Sequence, residues 1–523
     1  MSQLSDYQNK YGFAVITRSE SGVLTVTMSS NGGAWVFSND AHARLGNMFE
    51  DIAEDEATKV VLFTGAGDAF CNAAIMEEVG AIFAGMNPKQ VDAWYWDGKR
   101  FLTKVLEIEV PVIFAVNGPA IIHGEIFMGA ELVIASERAT FQDGTHIPTG
   151  NVPGGDTQAI WEELLRLNRH RYFQFAGQTL NAHQAFAAGA VSEVVPHTEL
   201  MPRALAHAER LAALPIDTLR ATRLALNERL RRLVRAEAGP GMAYLGISLL
   251  DNYGALAAAR PAMDEPVDNT RFDGYREKYP NMKMERAGGV LQLTLHTNGG
   301  PFTVTDAAHR DFGPAFAEIG ADRANKVLLI TGTGDVFCTG VESSDPTSFV
   351  TVHGLDRLLN EAVDRDMALF NLPIPVIAAV NGPAHVHADV AIAADIVLAA
   401  DTASFKDFHL PYLATGGVAQ VLWQELLGTV AGNYFMLTGQ VLDSKAALQR
   451  GVVAEVMPQA ELLTRARAHA NRLAALPELV LRYTRMSVTQ RIKKRLLAEA
   501  PHGYALISLA ALENAPAAAT ATA

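Results

Sequence analysis

Asn117-Gly-Pro-Ala-Ile-Ile-His123 and Asn381-Gly-Pro-Ala-His-Val-His387 are two renderings of one motif in a single chain. In the first copy the motif follows Val110-Pro-Val-Ile-Phe-Ala-Val116, an apolar run of strand length. It therefore reads as a buried strand ending in a sharp turn toward a helix. The histidine stands at the same point of that turn in both copies. A histidine there can face a reacting carbonyl, so the repeat bears on function as well as on fold.

Working outward, the copies match almost from end to end. Tyr7 to Tyr11 corresponds to Tyr275 to Tyr279, and Thr64-Gly-Ala-Gly-Asp-Ala-Phe-Cys71 to Thr331-Gly-Thr-Gly-Asp-Val-Phe-Cys338. Phe141-Gln-Asp143 corresponds to Phe405-Lys-Asp407, Trp161 to Trp423, and Arg210 to Pro215 to Arg472 to Pro477. A period this long marks duplicated domains, not a solenoid of short repeats, and each copy is long enough to bury its own core. The expected modules are residues 1–253 and 271–515. Residues 254–270, with Gly254, Pro261 and Pro266, read as a linker, and 516–523 as a loose tail.

Within the first copy, Gly22 to Met28 alternates and is rich in branched residues, so it reads as a strand. Ala41 to Ile52 reads as a helix. Lys59 to Thr64 and Val110 to Val116 are apolar runs suited to a sheet covered on both faces. Leu132 to Ser136 and Ala139 to Gln142 suggest a short strand pair. The pattern is helical over Trp161 to Leu167, Arg169 to Ala176, Ala182 to Ala188, Glu199 to Leu214 and Ile216 to Arg235. Strands first and helices later imply an α/β module with a sheet-based core and a helical C-terminal region.

Composition excludes several classes. The chain is 49% hydrophobic and 19% charged, as in a globular protein. A net charge of -14 argues against nucleic acid, which requires a basic face. No apolar run approaches the ~20 residues of a membrane span. The N-terminal MSQLSDYQNK lacks the basic and apolar regions of a signal peptide, so the chain reads as cytoplasmic. The two cysteines, Cys71 and Cys338, occupy equivalent positions and read as small buried apolar residues. No Cys/His spacing fits a zinc site, and no metal or cofactor is expected.

The order strand, TGxGxxFC, strand, NGPAxxH, TFxD, then RYFxxxGQ resembles the crotonase superfamily, over nearly the whole chain and twice. That resemblance implies two tandem modules, each a ββα spiral core with C-terminal helices, commonly assembled as trimers. Most crotonase relatives act on acyl-CoA thioesters and bind the enolate oxygen at a GGG-like turn. Here that turn reads Ile121-Ile122-His123 and Val386-His387-Ala388. Near the place where hydratases carry a catalytic carboxylate, Ile126 is apolar and Glu125 precedes it.

Within the superfamily the chain looks most like the β-diketone hydrolases typified by 6-oxocamphor hydrolase. These cleave a carbon–carbon bond of a cyclic 1,3-diketone by a retro-Claisen reaction, without CoA or another cofactor. Trp35, Ala41-His42, Asn117 to His123, Phe141-Gln-Asp-Gly-Thr-His146-Ile-Pro-Thr-Gly150 and Val152-Pro-Gly-Gly-Asp156 carry the likeness. It implies His146 as the base that activates water, oriented by Asp156, with His123 donating to a carbonyl or enolate oxygen. His42 would hold the second carbonyl, and Trp35 would pack on an alicyclic ring. The second copy keeps His309, His387 and His409, with Phe302 or Val304 where a tryptophan might stand. After Gly416-Gly417 comes Val418 in place of a carboxylate, which makes the first module the expected competent site. The expected partner is a small alicyclic diketone, in a homo-oligomer of three chains and six modules. The alternative is an enoyl-CoA hydratase or isomerase.

Overall fold

The computed structural model describes residues 3–75, 87–253, 269–343, 351–410 and 416–513. The chain forms two compact units, Met1–Leu165 with Ala176–Ala262, and Arg166–Phe175 with Met263–Ala523. Repeats and units thus coincide except at Arg166–Phe175, a first-repeat segment that belongs to the second unit. There Asn168 donates to the carbonyls of Ile392 and Val452, and Arg171 to that of Ala393. The proposed linker at 254–270 lies almost wholly, and the tail at 516–523 entirely, outside the described residues.

Each unit is built on a six-stranded sheet. In the first, the order is Ala14–Arg18, Val23–Met28, Val60–Gly65, Val112–Val116, Leu132–Ser136 and Glu193–Val195. The first two strands are antiparallel and the others parallel. The second unit repeats this with Met282–Ala287, Val290–Leu295, Val327–Gly332, Val376–Val380, Ile396–Ala400 and Glu455–Met457. Val112–Val116 is buried at every position, as a parallel strand covered on both faces must be.

The expected pairing of Leu132–Ser136 with the stretch after it does not occur. Leu132–Ser136 joins the main sheet, whereas Thr140–Phe141 pairs with Leu180–Asn181. Ala120 bridges Cys71 on one side and Phe141 on the other, which ties the small strands into a second layer. Ala384 does the same between Cys338 and Phe405. Both cysteines are free and buried in these ladders, and burial pushes their thiols up to about 12.

Two helices depart from the sequence pattern in ways that shape the cavities. Pro88–Glu107 starts on a capping box: Asn87 accepts from the amides of Lys89 and Gln90, and Gln90 reaches back to the Asn87 amide. The Asn-Pro-Lys-Gln sequence was the signal for it. Ile216–Tyr253 continues through Pro240, and its counterpart Glu478–Glu513 through Pro501, well past the expected end at Arg235. A proline removes one helical hydrogen bond, and packing of the following turns outweighs that loss here.

Each long helix is anchored by one buried arginine. Arg223 bonds Glu131 and the carbonyls of Ile108 and Val105. Arg485 bonds Asp395 and the Leu369 carbonyl, and Asp395 also accepts from the Val376 amide at 2.8 Å. Among the described residues no helix is long and apolar enough to cross a membrane. Arg485→Met strands a buried carboxylate and is expected to lower the unfolding free energy in urea by about 3–5 kcal/mol. Arg310→Ala, which removes the exposed partner of Asp311, should change it by less than about 1 kcal/mol.

Candidate active site

The Asn-Gly-Pro turn is a steric and hydrogen-bonded clamp. Asn117 Nδ2 donates to the carbonyls of Gly67 and Ala69, at 2.9 and 3.2 Å. Asn381 does the same to Gly334 and Val336, at 2.8 and 3.0 Å. A Cβ on Gly118 or Gly382 would run into the carbonyl of Asp68 or Asp335. Beyond the proline, the amides of Ile121 and Ile122 both donate to the Cys71 carbonyl. The chain then turns at His123 with φ 51°, and at His387 with φ 47°. These are left-handed conformations that glycine adopts freely and histidine holds at a cost of about 1–2 kcal/mol.

In the first unit His42, His123 and His146 converge on one cavity of about 270 Å³. Its other walls are Trp94, Phe101 and Leu102 of the Pro88–Glu107 helix, and Met242 and Leu245 of the terminal helix. His146 Nδ1 lies 2.6 Å from Asp143 Oδ1, and Thr145 donates to the same carboxylate oxygen at 3.1 Å. Its Nε2 points the other way, 3.7 Å from where a Cβ on the cavity-lining Gly154 would stand. Burial would push this imidazole down, but the Asp143 charge and hydrogen bond outweigh it and hold the group above its ordinary value. Burial pulls Asp143 the opposite way, and the His146 charge keeps it below the usual carboxylate range.

His123 Nδ1 bonds Glu125 Oε1 at 3.0 Å, and Thr157 donates to that oxygen at 3.3 Å. The His123 ring lies 4.2 Å from Phe37 and edge-on to His146 at 6.4 Å. His42 is stacked on Trp94 at 4.6 Å and meets Phe101 edge-on. Burial, with the His123 charge, pushes His42 down to about 3, so it is neutral at physiological pH.

One sequence expectation is displaced, and a second falls outside the described residues. Trp35 is fully buried and absent from the cavity wall: it packs edge-on against Phe37, Phe70 and Phe127, and Trp94 takes the place facing the cavity. The carboxylate on His146 Nδ1 is Asp143, three residues before it, while the Asp156 side chain lies outside the described residues. Asp143 stands in the Phe-Gln-Asp repeat, where its recurrence as Asp407 was the available signal.

The second unit brings His309, His387 and His409 to its own cavity. His409 Nδ1 bonds Asp407, so this histidine has an orienting carboxylate despite the apolar Val418. His309 Nδ1 bonds Glu361 Oε2 at 3.0 Å, and its ring is 5.5 Å from that of His387. Neither Phe302 nor a tryptophan lines this cavity; Val304 does. Among the described residues no three His, Cys, Asp or Glu side chains group as a metal ion requires.

The enoyl-CoA hydratase/isomerase family model matches residues 18–240 and again 285–504, so this chain belongs to that family, the crotonases, in tandem. It is 28% identical over 169 residues to a probable peroxisomal enoyl-CoA hydratase of Arabidopsis thaliana, covering 32% of this chain. That match spans 60% of the relative, less than two thirds of its length. It is 29% identical over 229 residues to the carnitinyl-CoA dehydratase of Escherichia coli K12, covering 40% of this chain and 84% of that one. Among solved structures, a beta-diketone hydrolase from the cyanobacterium Anabaena, bound to (S)-3-oxocyclohexyl acetic acid, is 41% identical. It covers 47% of this chain and 97% of its own, with a TM-score of 0.45. An enoyl-CoA hydratase/isomerase from Pseudoalteromonas atlantica is 20% identical over 46% of this chain and 96% of that one, with a TM-score of 0.39.

The left-handed turn makes a stability prediction. His123→Gly and His123→Ala both remove the imidazole, but only glycine relieves the φ of 51°. The glycine variant should be more stable than the alanine variant by about 1 kcal/mol in chemical denaturation.

Proposed function

We propose that the first unit is a hydrolase of cyclic or bicyclic β-diketones, cleaving a carbon–carbon bond by a retro-Claisen reaction to give a keto acid. The observation that carries this reading is the Asp143–His146 pair. Its Nδ1 is held by a carboxylate, and its Nε2 faces an apolar cavity shared with two more imidazoles. With Nδ1–H bonded to Asp143, neutral His146 presents its Nε2 lone pair to water. Water adds to one carbonyl carbon and gives its proton to Nε2. The oxyanion is met by His123, whose ring Glu125 orients through Nδ1. Neutral His42 donates to the second carbonyl. Collapse of the adduct breaks the carbon–carbon bond, and the electron pair passes into that second carbonyl as an enolate. Among the described residues that line the cavity none carries a carboxyl group, so the imidazolium at His146 returns its proton to the enolate carbon. No cofactor enters any step, and the apolar walls suit an alicyclic ring.

The test is turnover of a panel of alicyclic 1,3-diketones, followed by the appearance of ring-opened keto acids. His146→Ala should lose ~10²–10⁴-fold in kcat. Asp143→Asn should lose activity comparably, and more than Asp156→Asn; the reverse order would make Asp156 the orienter. The rate should rise with pH, because the neutral imidazole is the active form, with a midpoint above the ordinary histidine value of 6.5. Asp143→Asn removes the charge that raises it, so the midpoint should move down. An intact panel together with hydration of short enoyl-CoA thioesters would favour the CoA-dependent alternative.

We also propose that three chains assemble, presenting six modules, in the cytoplasm. The helix Thr429–Thr438 and the turn after it expose Val430, Tyr434, Leu437 and Val441, an apolar face that favours cover by protein. The corresponding first-repeat helix, Leu167–Ala176, is largely buried. Light scattering should give the mass of a trimer; a stable monomer would contradict this.

A further inference from the structure

The second unit's cavity differs from the first in size and in chemistry. It encloses about 770 Å³, part of it open to solvent, against about 270 Å³. The helix Val352–Asn371 lines it with Leu358, Ala362, Arg365 and Asp366, where the first-unit helix supplies Trp94, Gly98, Phe101 and Leu102. The terminal helix adds Tyr504 in place of Met242. A stacked indole, a phenyl ring and two aliphatic groups are thus replaced by a guanidinium, a carboxyl group and a phenol beside smaller aliphatics.

These groups are locked together. Arg365 Nε donates to Asp366 Oδ1 at 2.7 Å, its Nη2 lies 2.7 Å from Asp389 Oδ2, and its Nη1 donates to His387 Nδ1 at 2.6 Å. Tyr504 donates to Asp366 Oδ2 at 3.0 Å. Each nitrogen of the guanidinium meets a protein group, and two of the three partners are carboxyl groups. Its bond to Nδ1 fixes the tautomer of His387: the proton is on Nε2. Burial and the Arg365 charge push His387 down to about 3, so it is a neutral donor. The single positive charge of Arg365 stands against two carboxyl groups. Burial opposes ionisation of Asp389, but Arg365 holds it low. Burial and the Asp389 charge push Asp366 up to about 6.

We infer that the second unit is a catalytic site in its own right, in which Asp366 moves a proton at the α-carbon of a cyclic ketone or 1,3-diketone too large for the first cavity. In one direction the enolate carbon's electron pair takes the proton from the Asp366 carboxyl. A C–H bond forms, and Asp366 is left as a carboxylate bonded by Arg365 and Tyr504. In the other, the Asp366 carboxylate takes the α-proton and the electron pair moves onto the carbonyl oxygen, which accepts from His387 Nε2–H. No other reactant is consumed. The inference rests on reading the repeats as sites of enolate chemistry, but it does not require carbon–carbon cleavage.

The test is deuterium uptake at the α-carbons of 4-tert-butylcyclohexanone in D2O, with the full chain, followed by mass spectrometry. Wild type should incorporate deuterium faster than buffer alone. Asp366→Asn should slow it about 100-fold, and Asp366→Glu should restore part of the loss. Tyr504→Phe leaves the carboxyl in place and should slow uptake severalfold with thermal melting unchanged. No uptake by wild type, or uptake unchanged in Asp366→Asn, would overturn the assignment. Diketone cleavage is scored separately. Cleavage without deuteration defeats only this inference, and deuteration without cleavage defeats only the hydrolase reading.

Discussion

The clamp made by Asn117 and Asn381 underlies everything at the two sites. Each side chain amide binds two carbonyls of the preceding Gly-containing turn, and each following glycine leaves room only for a hydrogen at a backbone carbonyl. The strand end is thereby fixed against its neighbour, and the next residues are stapled to Cys71 or Cys338. What remains is a turn that closes only with a left-handed residue. The chain places histidine there in both repeats, accepting about 1–2 kcal/mol of backbone strain to set an imidazole at the head of a short helix.

Once placed, each imidazole is defined by what touches its Nδ1. Carboxylates hold His146, His123, His309 and His409; an arginine holds His387. A carboxylate favours the imidazolium or orients a base. A guanidinium can only donate, so it enforces a neutral ring with its proton on Nε2. Equivalent residues thereby acquire opposite partners: the Glu125 carboxylate meets His123 Nδ1, and the Arg365 guanidinium donates to His387 Nδ1. The divergence originates in the helix over the cavity, where Phe101 and Leu102 in one repeat answer to Arg365 and Asp366 in the other.

Much of the site was legible as histidines in a repeated motif, because the turn and the Phe-Gln-Asp segment are local in sequence. Their partners were harder to read. Asp143 was visible but overshadowed by Asp156, since nothing in a linear pattern says which carboxylate a ring nitrogen meets. Trp94, Arg365 and Asp366 went unread because Pro88–Glu107 and Val352–Asn371 were not assigned as helices. Met242 and Tyr504 lie beyond prolines that ordinarily end a helix. Trp35 was placed at the substrate by likeness; packing against Phe37, Phe70 and Phe127 draws it inward instead.

The sequence by itself determined the duplication, the α/β character of each repeat and the recurrence of histidine at a strand-end turn. Those properties follow from local chemistry: apolar runs, glycine and asparagine at fixed offsets, and identity between copies. Only the tertiary structure decided that Arg166–Phe175 belongs to the other unit, which carboxylate serves which histidine, and that the two cavities differ in kind. Those outcomes depend on side chains from a helix far along the chain meeting the turn in space. There burial sets the strength of each charge, and a single arginine in place of a phenyl ring bears on every ionisable group it touches.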